Sequence, residues 1–96
     1  MDNSVLALLD EVHRRAILKA LLYRQTPTTL RVVLGERFGT KLRFQESATA
    51  FHLKKLVAAG LVEALPVGES VYQPYIATAM GRQALAEVGE IEVRVS

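Results

Sequence analysis

The sequence predicts a mostly helical α+β domain in which a β-hairpin lies between the fourth and the fifth helix. Three observations support this prediction. Apolar residues recur at helical spacing up to about residue 59, and Gly60 interrupts that pattern. Two short apolar runs separated by a Gly-containing segment follow, and then a last helical stretch. A chain of 96 residues has the size of one domain, so residues 1–96 are treated as a single unit.

Two helices are predicted at the start of the chain. Ser4 can cap a short apolar helix within residues 1–10, and Asp10 can cap a second helix that runs from Glu11 to about Tyr23. The second helix carries apolar residues at helical spacing: Val12, Ala16, Ile17, Ala20 and Leu21. The first helix is almost wholly apolar, and such a surface favours dimerisation.

A third helix is predicted after Gln25-Thr26-Pro27, which ends the second one. It begins at Thr28 or Thr29, and its apolar stripe consists of Leu30, Val33, Leu34, Phe38 and Leu42. Whether residues 40–42 continue the helix is left open. Glycine inside a helix costs about 1 kcal/mol relative to alanine, so we expect an end or a break near Gly39.

The fourth helix, residues 47–59, is the most informative stretch of the chain. Ser47 can serve as its N-cap, and Gly60 fits the left-handed position just past its end. Leu61 can then pack back on Leu56, as a Schellman motif favours. One helical face, predicted to be the buried one, holds four residues: Thr49, Leu53, Leu56 and Val57.

A hairpin is predicted from the runs 61–65 and 71–77, with a loop of about five residues between them. Pro74 cannot donate to a strand ladder, so its strand should be an edge or bend there. Thr78 can cap a last helix that Gly89 ends. The tail 90–96 alternates with period two and is either a short terminal strand or a disordered end. Helices followed by a hairpin form the plan of a winged helix.

Composition narrows the classes of protein. There is no cysteine, hence no disulfide, and no apolar run reaches the roughly 18 residues of a membrane span. Nothing resembles a cleaved signal, and we expect a cytoplasmic protein without membrane partners. No carboxylate pair, nucleophile with a base or Gly-rich phosphate loop is visible, so we do not expect an enzyme.

The charge is distributed unevenly along the chain. Residues 24–55 hold seven Lys or Arg and two Glu, a net charge of +5, while the rest holds five cations and eight acids, a net charge of −3. A basic middle third on an otherwise acidic chain is the electrostatic pattern of a nucleic-acid-binding face. Chance clustering of charges is the alternative explanation.

Three separated pieces of the sequence resemble one family. Glu11 and Arg14 fill the acid and arginine positions before Ile17-Leu18 of its opening helix. Residues 49–62 resemble its recognition helix and the start of its hairpin. Seven residues match there: His52, Leu53, Leu56, Ala59, Gly60, Leu61 and Val62. The third piece holds Gly68, Val71, Tyr72, Tyr75, Thr78 and Gly81, and it resembles the wing and the entry to the last helix. The chain thus resembles winged helix-turn-helix transcriptional regulators of the ArsR/MarR-like type over roughly residues 5–85.

That resemblance implies a sequence-specific double-stranded DNA-binding regulator, nucleoid-associated, which acts as a homodimer by inserting helix 47–59 into the major groove. Metal sensors of this type carry a cysteine pair or a His/Asp/Glu cluster. This chain has no cysteine and only His13 and His52, so no metal or other cofactor is expected. The predicted wing tip carries Glu69 in place of the usual Arg or Lys, so the wing should contribute little.

Seven residues are the candidate DNA contacts: Lys41, Arg43, Ser47, Ala48, Phe51, Lys54 and Lys55. The alternative for the two helix lysines is a solvated face, and for Ser47 a role as cap only. Phe51 suits a thymine methyl group, although packing against a neighbouring helix is favoured. We favour local capping for Glu46, a core-edge position for His52 and a surface position for His13.

Two other functions remain open at the level of sequence. The acid at the wing tip and the modest net charge of +2 also suit a winged-helix module that binds proteins without sequence-specific DNA binding. A small-molecule sensor would need an effector pocket between dimer helices, and the sequence does not define an effector.

Overall fold

The computed structural model describes residues 1–68 and 72–92. It confirms a mostly helical fold in which an antiparallel hairpin precedes the last helix. The elements in chain order are α1 (Asn3–Ala7), a 3₁₀ turn (Leu8–Asp10), α2 (Val12–Ala20), α3 (Pro27–Phe38), α4 (Glu46–Ala58), β1 (Val62–Ala64), β2 (Tyr75–Ala77) and α5 (Ala79–Glu87). In this described part of the chain, no helix has both the length and the apolar character needed to span a bilayer.

A carboxylate caps the start of each of the first two helices, but neither cap is the predicted residue. Asp2 accepts a hydrogen bond from the backbone N–H of Ser4 at 2.9 Å, and Glu11 accepts one from Arg14 at 2.8 Å. The assignments of Ser4 and Asp10 as caps were therefore wrong. Ser4 lies inside the first turn, and the extended backbone that a cap requires falls at Glu11 (φ −79°, ψ 118°) rather than at Asp10.

The cap of α4 also differs from the prediction. The extended cap position is Gln45 (φ −69°, ψ 148°), which makes no side-chain cap bond, and the helix begins at Glu46. Ser47 is thus a helical residue and not the N-cap. Its hydroxyl is left on the exposed surface of the first turn.

Residues 24–38 contain a short bridge and α3. Thr26 and Thr29 form a reciprocal capping box, and Pro27 occupies the first helical position, where its missing N–H costs nothing. The helix starts slightly before the predicted Thr28 or Thr29 for that reason. It ends where predicted, at Gly39 with φ +55°, and residues 40–42 do not continue it.

The end of α4 confirms the predicted Schellman motif. The N–H of Leu61 donates to the carbonyl of Leu56 at 3.0 Å, and that of Gly60 donates to Val57 at 3.0 Å. Gly60 has φ +79°, a conformation that glycine adopts without a Cβ penalty. The bond pattern directs the chain from the helix straight into β1.

The hydrophobic core receives buried side chains from the 3₁₀ turn, from α2, α3, α4 and α5, and from both strands. Its largest fully buried members are Leu9, Ile17, Leu18, Leu21, Leu30, Leu34, Leu56, Leu61, Leu85 and Val62. Thr49 and Leu53 are buried as predicted, but Val57 is 38% exposed, so its predicted core position was wrong. The buried line on α4 is narrower than the predicted stripe, and Val57 lies outside it.

The sheet is small. β1 and β2 pair antiparallel with Val62 opposite Ala77 and Ala64 opposite Tyr75. Tyr75 also exchanges two backbone hydrogen bonds with Gln25, at 2.8 and 3.0 Å, so β2 contacts the segment before α3 on its other edge. Pro74 lies just before β2, where no ladder donor is lost.

The strands are shorter than predicted, and residues 65–74 join them. Glu69 and the rest of the predicted wing tip, residues 69–71, lie outside the described residues. So does most of the predicted tail strand, residues 93–96, while Ile91 and Glu92 are not in a strand.

Helix α5 lies very close to the start of β1. Thr78 caps it as predicted: its hydroxyl accepts from the N–H of Gly81 at 3.0 Å and donates to the carbonyl of Gly60 at 2.6 Å. A Cβ on Gly81 would lie 2.1 Å from the carbonyl oxygen of Leu61. The absence of a side chain at Gly81 is therefore what permits this approach.

Candidate nucleic-acid interface

Helices α3 and α4 and the turn between them, residues 39–45, form a helix-turn-helix unit. Thr49, Leu53 and Leu56 bury one face of α4, and the hydroxyl of Thr49 donates to the carbonyl of Gln45 at 2.8 Å. Because these residues recur at spacings of three and four, the opposite face of α4 points away from the core. That outer face is the surface that α4 offers to a partner.

All seven candidate contact residues are exposed. Five lie on α4: Ser47, Ala48, Phe51, Lys54 and Lys55; the other two, Lys41 and Arg43, lie in the preceding turn. Two small side chains, Ser47 and Ala48, follow Glu46 in the first turn of α4, and both lysines lie in its second half. The structure therefore offers short side chains for close approach at one end and cations beyond them.

Phe51 does not pack against a neighbouring helix, so the favoured interpretation of this residue was wrong. Its side chain is 54% exposed. Two residues of its own helix contact the ring: the ring of His52 meets it edge-on with centroids 5.6 Å apart, and the Lys55 ammonium lies 5.0 Å from its centroid.

A cleft of about 310 Å³ lies between α3 and the turn, and two arginines are among the residues that line it. Its lining residues are Arg31, Gly35, Gly39, Leu42, Arg43, Phe44 and Gln45. Arg31 pairs with the carboxylate of Glu46 at 3.4 Å, and the Glu46 side chain is 86% exposed. Arg31 was not among the candidate contacts predicted from the sequence, although it lies beside the turn that holds two of them. The signal that could have found it was its place in the basic segment, one helix before the recognition-like helix.

A cluster of charged and aromatic side chains joins α2 to α4. The Nε of Arg14 donates to Nδ1 of His52 at 3.3 Å, while its Nη1 donates to the carbonyl of Leu8 at 3.1 Å. Glu11 contacts both histidines, His13 at 2.9 Å and His52 at 3.5 Å. These contacts fix the inner edge of α4 to the start of α2.

The two histidines differ in how well they match their predicted positions. His52 lies at the edge of the core, as interpreted from the sequence, with 14% of its side chain exposed. His13 is half-buried: 30% of its side chain is exposed, as a surface position implies, but its ring also packs on two neighbours. Its ring stacks on His52 with centroids 6.1 Å apart and meets Phe44 edge-on at 5.2 Å, because Phe44 in the turn covers the start of α2.

The cluster shifts the pKa of two groups. Burial alone would raise the pKa of the Glu11 carboxyl, but hydrogen bonds from the His13 ring and from the backbone N–H groups of Arg14 and His13 lower it to about 2. Burial lowers the pKa of His52; the Glu11 carboxylate opposes this shift, and the Arg14 guanidinium adds to it. Since Arg14 donates to Nδ1 of His52, the neutral ring carries its proton on Nε2, facing Glu11.

We expect Glu11→Gln to lower the free energy of unfolding by about 1 kcal/mol at neutral pH, because a charged cap and two histidine contacts are lost. The folded-state pKa of about 2 lies below the unfolded value near 4.3, so the stabilisation by Glu11 is complete above about pH 4.5. It disappears as the pH falls through 2. Urea unfolding at pH 7, 4 and 3 should therefore give a stability difference between wild type and variant that shrinks with acid.

The matched control is Glu63→Gln on the exposed face of β1, which removes the same charge. This variant should match wild type within a few tenths of a kcal/mol at each pH. A Glu11→Gln variant as stable as Glu63→Gln at pH 7 would contradict the role assigned to the cluster.

Within residues 1–68 and 72–92, no group of three His, Cys, Asp or Glu side chains is arranged to hold a metal ion. In the Glu11 cluster, protein groups already contact the polar atoms. One carboxylate oxygen accepts from the backbone of Arg14 and the other contacts His13, while a guanidinium faces Nδ1 of His52.

Solved structures of other proteins share this architecture, although no protein-family model and no curated protein sequence matches the chain. An ArsR-like transcriptional regulator from Rhodococcus sp. RHA1 is 30% identical with a TM-score of 0.61, covering 91% of this chain and 77% of that one. A protein described as a possible transcriptional regulator for arsenical resistance is 25% identical, with a TM-score of 0.65 and coverage of 88% and 78%.

A third similar structure is that of Bacillus subtilis PadR, solved in complex with operator DNA. It is 21% identical with a TM-score of 0.69 over 90% of this chain, and the match spans 51% of the PadR chain. At that identity the likeness concerns the fold alone.

Proposed function

Because this chain belongs to the ArsR-like winged helix-turn-helix transcriptional regulators, we propose that it binds double-stranded DNA sequence-specifically as a homodimer through α4. The observation that carries the proposal is the outer face of α4. That face is exposed along its length, opens with short side chains and carries Lys54 and Lys55. A helix of this kind fits a DNA major groove, which is wide enough to admit one α-helix.

The charged groups around α4 support a backbone-contacting role. Lys41 and Arg43 lie in the turn that leads into α4, and Arg31 lines the cleft beside it. Together with the helix lysines they belong to the segment of net charge +5. Contacts to phosphates position a protein on the duplex, and contacts to base edges provide specificity.

Base contacts then fall to the side chains that point outward from α4. Ser47 and Ala48 lie in its first turn, where recognition helices contact bases, and Phe51 lies one turn further. The Glu46 carboxylate lies at the same end of the helix but is paired with Arg31, which reduces its repulsion of phosphate.

Apolar side chains on α1 and the following 3₁₀ turn support the homodimer. Val5, Leu6 and Leu8 pack only partly against the core of their own chain, and Ala7 is exposed. A second copy of α1 would cover the remaining surface. A two-fold dimer would place two copies of α4 in successive major grooves, about one helical turn apart on the DNA.

In vitro selection of duplexes with the purified protein tests the function. We expect enrichment of an inverted repeat whose half-sites lie about 10 base pairs apart. Binding of the selected duplex, followed by fluorescence anisotropy, should weaken steeply with salt, with a slope of about −0.9 per phosphate contacted. Sedimentation velocity should give two chains per duplex.

The outcomes separate the parts of the proposal. Absence of binding to any duplex at low salt would exclude the DNA-binding function and favour the protein-binding alternative. A single half-site bound by one chain would exclude only the homodimer. Binding with equal affinity to selected and random duplexes would exclude only the sequence specificity.

A further inference from the structure

We propose that Phe51 determines base specificity by contacting the C5-methyl group of a pyrimidine in the major groove, with Lys55 holding its ring in place. This inference rests on the proposed DNA-binding function and deepens it. It assigns the recognition of one chemical group to one side chain, while the lysines provide most of the affinity.

The position of Phe51 on α4 is the first argument. The buried line of Thr49, Leu53 and Leu56 lies on the other side of the helix, so Phe51 points almost directly outward. Its neighbours one turn before are Ser47 and Ala48, both short. The ring therefore stands above its surroundings and would reach deepest into a groove.

Exposure of the ring is the second argument. Phe51 leaves 54% of its side chain in contact with water, while Phe38 and Phe44 pack against the core. Lysines follow it three and four residues later along α4. An apolar ring with cations beside it is complementary to an apolar group in the groove of negatively charged DNA.

The chemistry of the ring selects the group it can recognise. Phenylalanine has no hydrogen-bond donor or acceptor, so it cannot use the polar edges of the bases. Thymine is the natural base that presents an apolar group in the major groove, its C5-methyl, and 5-methylcytosine presents the same group. The shared chemistry is thus a 5-methylpyrimidine.

The ring is held in a defined orientation before any DNA binds. The ammonium of Lys55 lies 5.0 Å from its centroid on one side, a cation–π geometry. The ring of His52 meets it edge-on, and Arg14 on α2 and its cap residue Glu11 fix His52 in turn. A chain of contacts thus extends from the start of α2 to the reading side chain, and preorganisation of this kind favours discrimination between bases.

The test uses the duplex enriched by selection. Each thymine is replaced singly by deoxyuridine, which removes only the methyl group, and each cytosine singly by 5-methylcytosine, which adds it. We expect deoxyuridine at one position of each half-site to weaken wild-type binding by about three- to tenfold. Phe51→Ala should bind the thymine and deoxyuridine duplexes equally.

Lys54→Ala is the matched control on the same helix. It should weaken binding to both duplexes by the same factor and keep the ratio between them, since a phosphate contact carries no base information. Phe51→Leu, which keeps an apolar group, should retain part of the discrimination. Because Phe51 is exposed, these variants should keep wild-type circular dichroism.

The results decide between sources of the methyl group. A loss at deoxyuridine that Phe51→Ala abolishes identifies thymine, and a gain at 5-methylcytosine that Phe51→Ala abolishes identifies the methylated base. Tight, selective wild-type binding without any methyl effect would overturn this inference and leave the DNA-binding function intact. Discrimination that survives in Phe51→Ala would overturn it equally, and failure to bind any duplex would overturn both.

Discussion

Replacing Gly81 by alanine is expected to destabilise the fold by about 3 kcal/mol or more, the upper end of what overpacking costs. The added Cβ would lie 2.1 Å from the carbonyl oxygen of Leu61, and 3.2 Å from Cδ1 of Leu18. The first of these neighbours is backbone, so no side-chain rotation relieves the clash. Helix α5 would have to move away from β1, and the bond from Thr78 to Gly60 would be broken.

Gly35→Ala is the control for this prediction. Gly35 lies inside α3, and a Cβ there would meet nothing within 4 Å. Alanine should therefore stabilise the protein by up to about 1 kcal/mol through helix propensity. Urea unfolding followed by circular dichroism measures both variants. A Gly81→Ala variant that unfolds within 1 kcal/mol of wild type would show that α5 can adjust its position at little cost.

The largest expected effect on binding belongs to the double variant Lys54→Ala/Lys55→Ala. Both side chains are exposed on the outer face of α4, one on each side of Phe51. Loss of two phosphate contacts should weaken binding to both specific and random duplexes by about 10- to 100-fold at low salt. Loss of the Lys55 contact with the Phe51 ring should in addition reduce the discrimination between bases. The slope of log affinity against log salt should fall by about two units. A salt titration by fluorescence anisotropy measures both quantities.

The control removes the same charge elsewhere. Arg15 and Lys19 on α2 both pair with Glu90, at 3.4 and 3.3 Å, beyond the end of α5. Arg15→Ala/Lys19→Ala should leave the salt slope unchanged and alter affinity little. If both double variants lose affinity equally, net charge and not the face of α4 governs binding. An unchanged slope in Lys54→Ala/Lys55→Ala would instead place the phosphate contacts elsewhere.

Features set by local chemistry could be predicted from the sequence. The glycine ends of α3, α4 and α5 and the Thr78 cap depend on residues a few positions apart, and each was found where it was expected. The order of helices and hairpin follows from the change of apolar period at Gly60. The fold class was therefore accessible without coordinates.

The predictions that were wrong concern features that depend on the path of the backbone or on residues far apart in the sequence. Several neighbouring polar residues could serve as each helix cap. Only the backbone dihedral angles show that Glu11, and not Asp10, caps α2. Arg14 and His52 are 38 positions apart, so no local sequence pattern could predict their contact. The same holds for Arg31 and its place beside the turn. Phe51 is exposed because α4 buries the opposite face. Val57 belongs to the apolar stripe but is also exposed, so the buried face of α4 is narrower than that stripe.

The division of α4 into two faces has a consequence for how binding specificity can change. The inner edge is held by Arg14 and Glu11 through His52, and the C-terminal end is fixed where Thr78 binds Gly60. The outward residues contribute little to those attachments. Evolution, or an engineer, can therefore rewrite the outer face one residue at a time at low cost in stability. Under the proposed function, the same scaffold could then acquire new target sequences while it remains folded.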